Sequence, residues 1–278
     1  MKNPGYVVTG ANAGIGKAIA QGLAERGLRV IILCRSPEKG DCALDEIRAA
    51  TNNSSVELVI GDLSSPAKVR AVAERLLDEV SEIGALVNNA GMWATQLEHN
   101  EDGLEMSFAV NHLAPFLLSH LLLERLREND PGRIVNVNAS LYATGNVDLE
   151  KLPSGDDFHP FRTYANTKLC NALFTREFAR RLNGSEVTIN AVHPGVIRSN
   201  LAVNMSGWSR LFVRLGQLFG KSPEQGAEGP LYLATSQEVS GVSGGFFDGC
   251  KQVPYAKNTL DDELASELWK KSAMLTGL

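Results

Sequence analysis

The chain has 278 residues, 44% of them apolar and 21% charged, with a formal net charge of −5. That is ordinary soluble globular composition, long enough for one large α/β domain with its own core, and its mild acidity argues against a nucleic-acid partner, which would favour a basic stripe. No run approaches the roughly 18 apolar residues of a membrane-spanning helix. Cys34, Cys42, Cys170 and Cys250 show neither metal-ligand spacing nor a tight framework. With no signal-peptide pattern, they read as reduced thiols of a cytoplasmic protein without a metal site.

Tyr6 to Thr9 is a short apolar run leading into Gly10-Ala11-Asn12-Ala13-Gly14-Ile15-Gly16, and residues 17–24 then repeat apolar positions with helical period. Strand, glycine turn and helix are the context of a dinucleotide fingerprint. The glycines let the backbone approach phosphates, and the helix N-terminus favours their charge. The spacing is Gly-x-x-x-Gly-x-Gly rather than Gly-x-Gly-x-x-Gly, and a plain tight turn before a helix is the bland alternative.

Arg29 to Cys34 is the second strand. About twenty residues past the glycines, NAD enzymes usually carry an acidic residue that bonds the ribose 2′-hydroxyl. Here Cys34 and then Arg35 occupy that place. No carboxylate repels a 2′-phosphate, and a guanidinium can grip one through two bonds, although a surface arginine would look the same. Residues 37–50 read as a helix. Val56 to Leu63 is a third strand carrying Asp62 at its end. Asp62 could accept from an adenine amino group, or serve the cap of the next helix through Ser64 and Ser65.

A helix over 66–82 follows, then a strand and turn, Ala85-Leu86-Val87-Asn88-Asn89-Ala90-Gly91. Leu104 to Glu128 is a long helical pattern holding Asn111 and His112 on an apolar stripe. A polar residue there needs a partner, so Asn111 either bonds a neighbouring strand or belongs to a site. Arg133 to Ser140 is the fifth strand, and 142–161 is polar and loop-like.

The next helix, to about Leu182, carries Tyr164-Ala165-Asn166-Thr167-Lys168. A tyrosine and a lysine four apart share a helix face. A phenol titrates near ~10, and a cation beside it lowers that value towards the range of a general acid–base. Val187 to Val192 is the sixth strand, before His193-Pro194-Gly195. Residues 199–229 are a long excursion ahead of a helix at 226–236. Trp208, Leu211, Phe212, Leu215, Leu218 and Phe219 recur within it at helical spacing. Two readings stand for 208–219, a packed substrate lid (about 199–225) or a peripheral contact with a membrane surface. Val242 to Asp248 is the last strand. Strands alternating with helices, with no repeat or boundary, make 1–278 a single domain around a doubly wound parallel sheet.

Taken together, Thr9-Gly10-x-x-x-Gly14-Ile15-Gly16, Asn88-Asn89-Ala90-Gly91, Ser140, Tyr164-x-x-x-Lys168 and Pro194-Gly195 resemble the short-chain dehydrogenase/reductase family, over about residues 5–250. Leu33-Cys34-Arg35, Val110-Asn111-His112-Leu113, Val192-His193-Pro194-Gly195, Lys221-Ser222-Pro223-Glu224-Gln225-Gly226-Ala227 and the end around Gly244 to Cys250 are similar to its retinol dehydrogenase branch. Ala139-Ser140 stands where many members have Ser-Ser, and Ser199 where many have threonine. Membrane-bound members often carry an N-terminal anchor, whereas this chain starts almost at its first strand.

The resemblance implies a Rossmann-type α/β fold with helices on both faces and an NADP(H)-dependent oxidoreductase interconverting a hydrophobic ketone or aldehyde and its alcohol. It makes Tyr164 the proton donor or acceptor, assisted by Lys168, with Ser140 on the substrate oxygen and Asn111 holding a water that links Lys168 to solvent. It assigns the cofactor to Gly10, Asn12, Gly14, Ile15, Gly16, Arg35, Asp62, Leu63, Asn89, Ala90, Gly91, Tyr164, Lys168, Pro194, Gly195, Val196 and Ser199. Trp93, Trp208, Leu211 and Phe212 suggest an apolar tenant. Reduction of a C=C bond and a non-catalytic NADP-binding scaffold are the alternatives, and a monomer or a homo-oligomer is expected.

Overall fold

The computed structural model of the protein describes residues 3–182, 184–196 and 220–278. Ser199, Trp208, Leu211, Phe212 and the expected 208–219 helix therefore lie outside the described residues.

Six apolar runs become the parallel strands β1 (Gly5–Thr9), β2 (Arg29–Cys34), β3 (Val56–Ile60), β4 (Ile83–Asn88), β5 (Arg133–Val137) and β6 (Thr188–His193). Helices cover both faces of this sheet, which is why its strands read as near-continuous apolar runs. Successive residues point to opposite sides. Val8, Ile32 and Val87 pack with the helices α1 (Gly14–Glu25) and α2 (Pro37–Thr51), whereas Val7, Ile31 and Leu86 join the core under α3 (Pro66–Glu79). The sheet order is β3-β2-β1-β4-β5-β6, continued by two short strands, β7 (Phe246–Asp248) and β8 (Lys251–Val253), and only β8 runs antiparallel. The winding reverses between β1 and β4, so a crevice opens there beyond the carboxyl ends of the strands.

The expected long helix from Leu104 to Glu128 is broken into α4 (Met106–Phe108), a π-turn (Ala109–Leu113), α5 (Ala114–Leu121) and α6 (Leu123–Arg127). Pro115 has no N–H to offer the Asn111 carbonyl one turn back, and an α-ladder cannot run through it unchanged. Two strands end early, β3 at Ile60 and β5 at Val137, so Asp62, Leu63 and Ser140 sit on the loops beyond them. Ser140 instead opens a 3₁₀ turn, Ser140–Thr144. The helix that carries Tyr164 and Lys168, α7, spans Pro160–Arg181.

The helix expected at 226–236 begins earlier, as α8 (Pro223–Thr235). Ser222 and Gln225 form a capping box and Pro223 suits the first turn. The last residues assigned to a lid are thus the start of a fixed helix. The final strand is shorter than Val242 to Asp248, because Gly244 takes φ +76° and the residues before it are held by side chains. A C-terminal helix not anticipated from the sequence, α9 (Asp262–Thr276), packs on α7 through Leu268 and Trp269. Its signals were present: Asp261 caps its start, and Gly277 closes it in a left-handed conformation.

Candidate active site

Every strand of the central sheet delivers chemistry at its carboxyl end: Gly10 after β1, Arg35 after β2, Asp62 after β3, Asn89 after β4, Ser140 after β5 and Pro194 after β6. A groove of about 770 Å³ crosses the ends of β1, β2, β3 and β4, lined by Gly10, Asn12, Gly14, Ile15, Gly16, Arg35, Asp62, Leu63, Asn89, Ala90 and Gly91 among others, whereas Ser140, Tyr164, Lys168, Pro194, Gly195 and Val196 are not part of its lining. The glycine turn is stapled to the Asn89 turn. Thr9 Oγ1 accepts from the main-chain N–H of Asn89 at 3.0 Å and of Ala90 at 2.9 Å, and Asn89 Nδ2 donates to the Thr9 carbonyl at 2.8 Å. A side chain at Gly16 would start 2.3 Å from Asn89 Nδ2 and 2.4 Å from the Gly10 carbonyl oxygen, so only glycine fits this closure.

Helices α2, α3 and α8 each have a serine cap, whereas α1 starts from Ala13 with no side-chain cap. Its first N–H groups face the groove with no side-chain acceptor, which suits a phosphate.

Arg35 is exposed at the groove and enters no ion pair among the described residues. Cys34 is 4% exposed, its thiol donating to the Ser36 carbonyl at 3.4 Å. Burial pushes that thiol's pKa up. Asp62 makes the local bonds of its second reading: its carboxylate accepts from the Ser64 N–H and hydroxyl and lies 3.1 Å from Lys68 Nζ. Ser65 caps α3. Burial alone would raise the Asp62 carboxyl, but the Ser64 hydroxyl and the Lys68 ammonium outweigh it and hold the group low. Glu98, Met106, Val110 and Pro223 also line the groove. Val110 and Pro223 stand in stretches that carried the resemblance, but no local pattern gave them, Glu98 or Met106 a place in the groove, which tertiary packing sets.

Beyond Gly91, outside the groove's lining, Tyr164 is 8% exposed, Lys168 6% and Asn111 1%, while Ser140 is exposed. Lys168 Nζ lies 5.6 Å from the centre of the Tyr164 ring and donates to the Val137 carbonyl at 3.1 Å. The hydroxyls of Tyr164 and Ser140 have no hydrogen-bond partner among the described residues. A side chain at Gly91 would begin 3.9 Å from Lys168 Nζ and 3.3 Å from Asn111 Oδ1, so this glycine leaves a way from the groove floor to the ammonium.

The electrostatics of this end run against the sequence expectation. Burial pushes the Tyr164 phenol up to about 12 and the Lys168 ammonium down to about 8, because both charged forms lose hydration. Trp93 does part of the covering. Its ring stacks on Tyr164 at 4.4 Å and 6°, with Phe161 tilted beside it at 5.9 Å. The buried Trp93 Nε1 has no acceptor among the described residues.

The buried amide of Asn111 is fully bonded, not to a neighbouring strand but to the loop after β4 and to α7. Its Oδ1 accepts from Met92 N–H at 2.8 Å, and its Nδ2 donates to the Met92 carbonyl at 2.9 Å and Thr167 Oγ1 at 3.1 Å. Its main-chain carbonyl accepts from Asn171 Nδ2 at 2.7 Å. Asn138, whose role the sequence did not show, donates to the Lys168 carbonyl at 3.1 Å, and its main chain bonds Val192. Beyond β6, Gly195 takes φ +95° and the Val196 carbonyl accepts from Lys221 N–H, leaving the Val196 side chain exposed. Among the described residues no cluster of His, Cys, Asp and Glu could hold a metal, and no helix is long and apolar enough to cross a membrane.

A family model described as short chain dehydrogenase matches residues 6–209. Retinol dehydrogenase 13 of Homo sapiens is 41% identical over 278 residues, covering 98% of this chain and 84% of that protein. Retinol dehydrogenase 12 of Mus musculus is 42% identical over 272 residues, covering 98% and 86%. Among solved structures, an uncharacterized protein from Mycobacterium paratuberculosis superposes with a TM-score of 0.79 at 31% identity, over 99% of this chain and 93% of that one.

Proposed function

Since the chain belongs to the short-chain dehydrogenase/reductase family, closest to its retinol dehydrogenase branch, and is an oxidoreductase of alcohol and carbonyl groups, we propose that it interconverts a hydrophobic ketone or aldehyde and the corresponding alcohol with NADP(H). The observation that carries this reading is a buried Tyr164–Lys168 pair under the rings of Trp93 and Phe161, set beside Gly91 of a phosphate-suited groove.

The groove fits a dinucleotide. Gly10, Gly14 and Gly16 with the uncapped start of α1 would hold the pyrophosphate, Arg35 the 2′-phosphate, and Asp62 and Leu63 the adenine. Asn89, Ala90 and Gly91 would form the floor under the nicotinamide half, with Pro194, Gly195 and Val196 against its carboxamide. Bound there, the cofactor supplies or takes the hydride.

The protein supplies position and a proton. Tyr164 carries its proton at neutral pH, with a pKa near 12, which is the form that carbonyl reduction needs from a general acid. In oxidation the same oxygen accepts the proton of the alcohol, once positive charge beside it offsets the effect of burial. Lys168 is the nearest source of that charge. Ser140, exposed and without a partner among the described residues, donates to the substrate oxygen as negative charge builds on it. The stacked Trp93 excludes water from the phenol and offers a planar apolar surface to the substrate.

The test is a screen of apolar ketones, aldehydes and alcohols, following cofactor oxidation and reduction with both NADPH and NADH. Turnover of at least one apolar carbonyl that disappears in Tyr164→Phe supports the reading. Turnover that survives Tyr164→Phe overturns the role of the tyrosine. Saturation of the double bond of an unsaturated ketone, with its carbonyl intact, assigns alkene reduction instead.

A further inference from the structure

Buried polar groups between α7 and α9 form a line that the mechanism above does not use. His112 and Ser272 are fully buried and Asn171 is 3% exposed. Asn171 Nδ2 lies 2.7 Å from the Asn111 carbonyl oxygen, His112 Nδ1 lies 3.3 Å from Asn171 Oδ1, and His112 Nε2 lies 2.8 Å from Ser272 Oγ. Phe108 and Phe174 flank the imidazole, the first stacked at 5.3 Å and the second edge-on at 6.2 Å.

The direction of each bond follows from what the atoms can do. A main-chain carbonyl only accepts, so the Asn171 amide turns its NH₂ to Asn111 and its oxygen to His112. That oxygen also only accepts, so the proton of the neutral imidazole must sit on Nδ1. Nε2 is then bare and must accept, and the Ser272 hydroxyl is the donor within reach. Burial among aromatic rings keeps the ring neutral, with a pKa of about 4. Proton donation thus runs one way, from Ser272 to His112 to Asn171 to the Asn111 carbonyl.

The line ends where the helix ladder has a gap, since Pro115 cannot donate to Asn111. Asn111 in turn bonds Met92, next to Gly91 and Trp93, and Thr167, next to Lys168. We propose that Ser272, His112 and Asn171 are positioning residues of the active site, through which the C-terminal helix holds the Asn111 turn and, by the Asn111–Thr167 contact, sets the register of Tyr164 and Lys168 against the groove floor. This rests on the reading of Tyr164 and Lys168 given above.

Two measurements decide it. Long-range ¹H–¹⁵N spectra of protein labelled at histidine, with His112 identified by its loss in His112→Asn, should show the proton on Nδ1 at neutral pH. A proton on Nε2, or a charged ring, overturns the donor line whatever the enzyme's reaction. Kinetically, Ser272→Ala should lower kcat by about tenfold and Asn171→Leu by up to about a hundredfold, with KM for substrate and cofactor held within about twofold, because a misplacement near 1 Å costs chemistry rather than binding. Ser272→Thr keeps the hydroxyl and should retain most of the rate. A purely structural role predicts a lower Tm with kcat unchanged below it, and that result in Ser272→Ala overturns the proposal. If a variant does not fold, the wild-type spectrum still supports or overturns the donor line through the position of the proton. If Tyr164→Phe keeps its turnover, the reading of the tyrosine fails separately, and the tautomer is unaffected by that failure.

Discussion

Arg35→Ala tests the cofactor choice. Arg35 follows β2 directly, is exposed, and has no ion pair among the described residues to compete for its guanidinium. No acidic residue stands at the end of β2 to repel a 2′-phosphate, which carries nearly two negative charges at neutral pH. A charge-assisted bond is worth about 1.5–3 kcal/mol, and solvent around an exposed arginine places this one at the lower end. About 1.4 kcal/mol is tenfold in affinity, so the wild type should prefer NADPH over NADH in kcat/KM by about tenfold or more. Arg35→Ala should remove most of that margin by weakening NADPH, with NADH nearly unchanged. The margin should also shrink as salt is raised. Initial rates with each cofactor at fixed ionic strength read this directly. Equal use of NADH by the wild type, or equal weakening of both cofactors in Arg35→Ala, refutes the reasoning. The companion change, Cys34→Asp, should invert the preference but also destabilise the fold by on the order of 1–3 kcal/mol, since the thiol it replaces is buried beside Gly40.

Three further outcomes are expected. Tyr164→Phe should abolish turnover while NADPH affinity, measured by fluorescence titration, stays within about twofold, because only the transferable proton is lost. Lys168→Met should abolish activity yet raise the unfolding free energy at pH 7 by up to about 3 kcal/mol: burial lowers the ammonium from 10.5 to about 8, so the unfolded chain binds its proton more tightly, wild-type stability rises from pH 8 towards 10.5, and the variant's advantage should fade over that window in denaturant titrations. An advantage that does not depend on pH would assign the gain to packing. Gly16→Ala should lose cofactor binding and stability together, since its methyl meets the Gly10 backbone at 2.4 Å, and a normal NADPH affinity would show that the turn can open.

What could be read from the chain was whatever depends on neighbours in sequence. Apolar runs such as Val30 to Leu33 and Ala85 to Val87 marked strands buried on both faces, and Arg35 and Asn89 just past them line the groove. Asn111 and Pro115 already stood four residues apart, so the broken helix was legible in principle; the apolar stripe around them obscured it. The short β7 was harder, because three-residue strands have too few positions to show a period, whereas α9 was legible from its caps, Asp261 and Gly277, and from Leu264, Ala265, Leu268 and Trp269 at helical spacing.

The pKa directions were out of reach for a different reason. The spacing of Tyr164 and Lys168 establishes only that two side chains share a helix face. The direction in which their protonation shifts depends on what covers that face, and the cover comes from Trp93 on the β4 loop and from the strand end at Val137. A lysine that loses hydration there cannot act as a fixed positive charge of ordinary strength. Its value to Tyr164 therefore depends on what else holds its proton: the Val137 carbonyl at 3.1 Å, and whatever ligand oxygen enters over Gly91. Burial alone leaves the phenol protonated, the form that suits a general acid, and use of the same oxygen as a base would need added positive charge beside it.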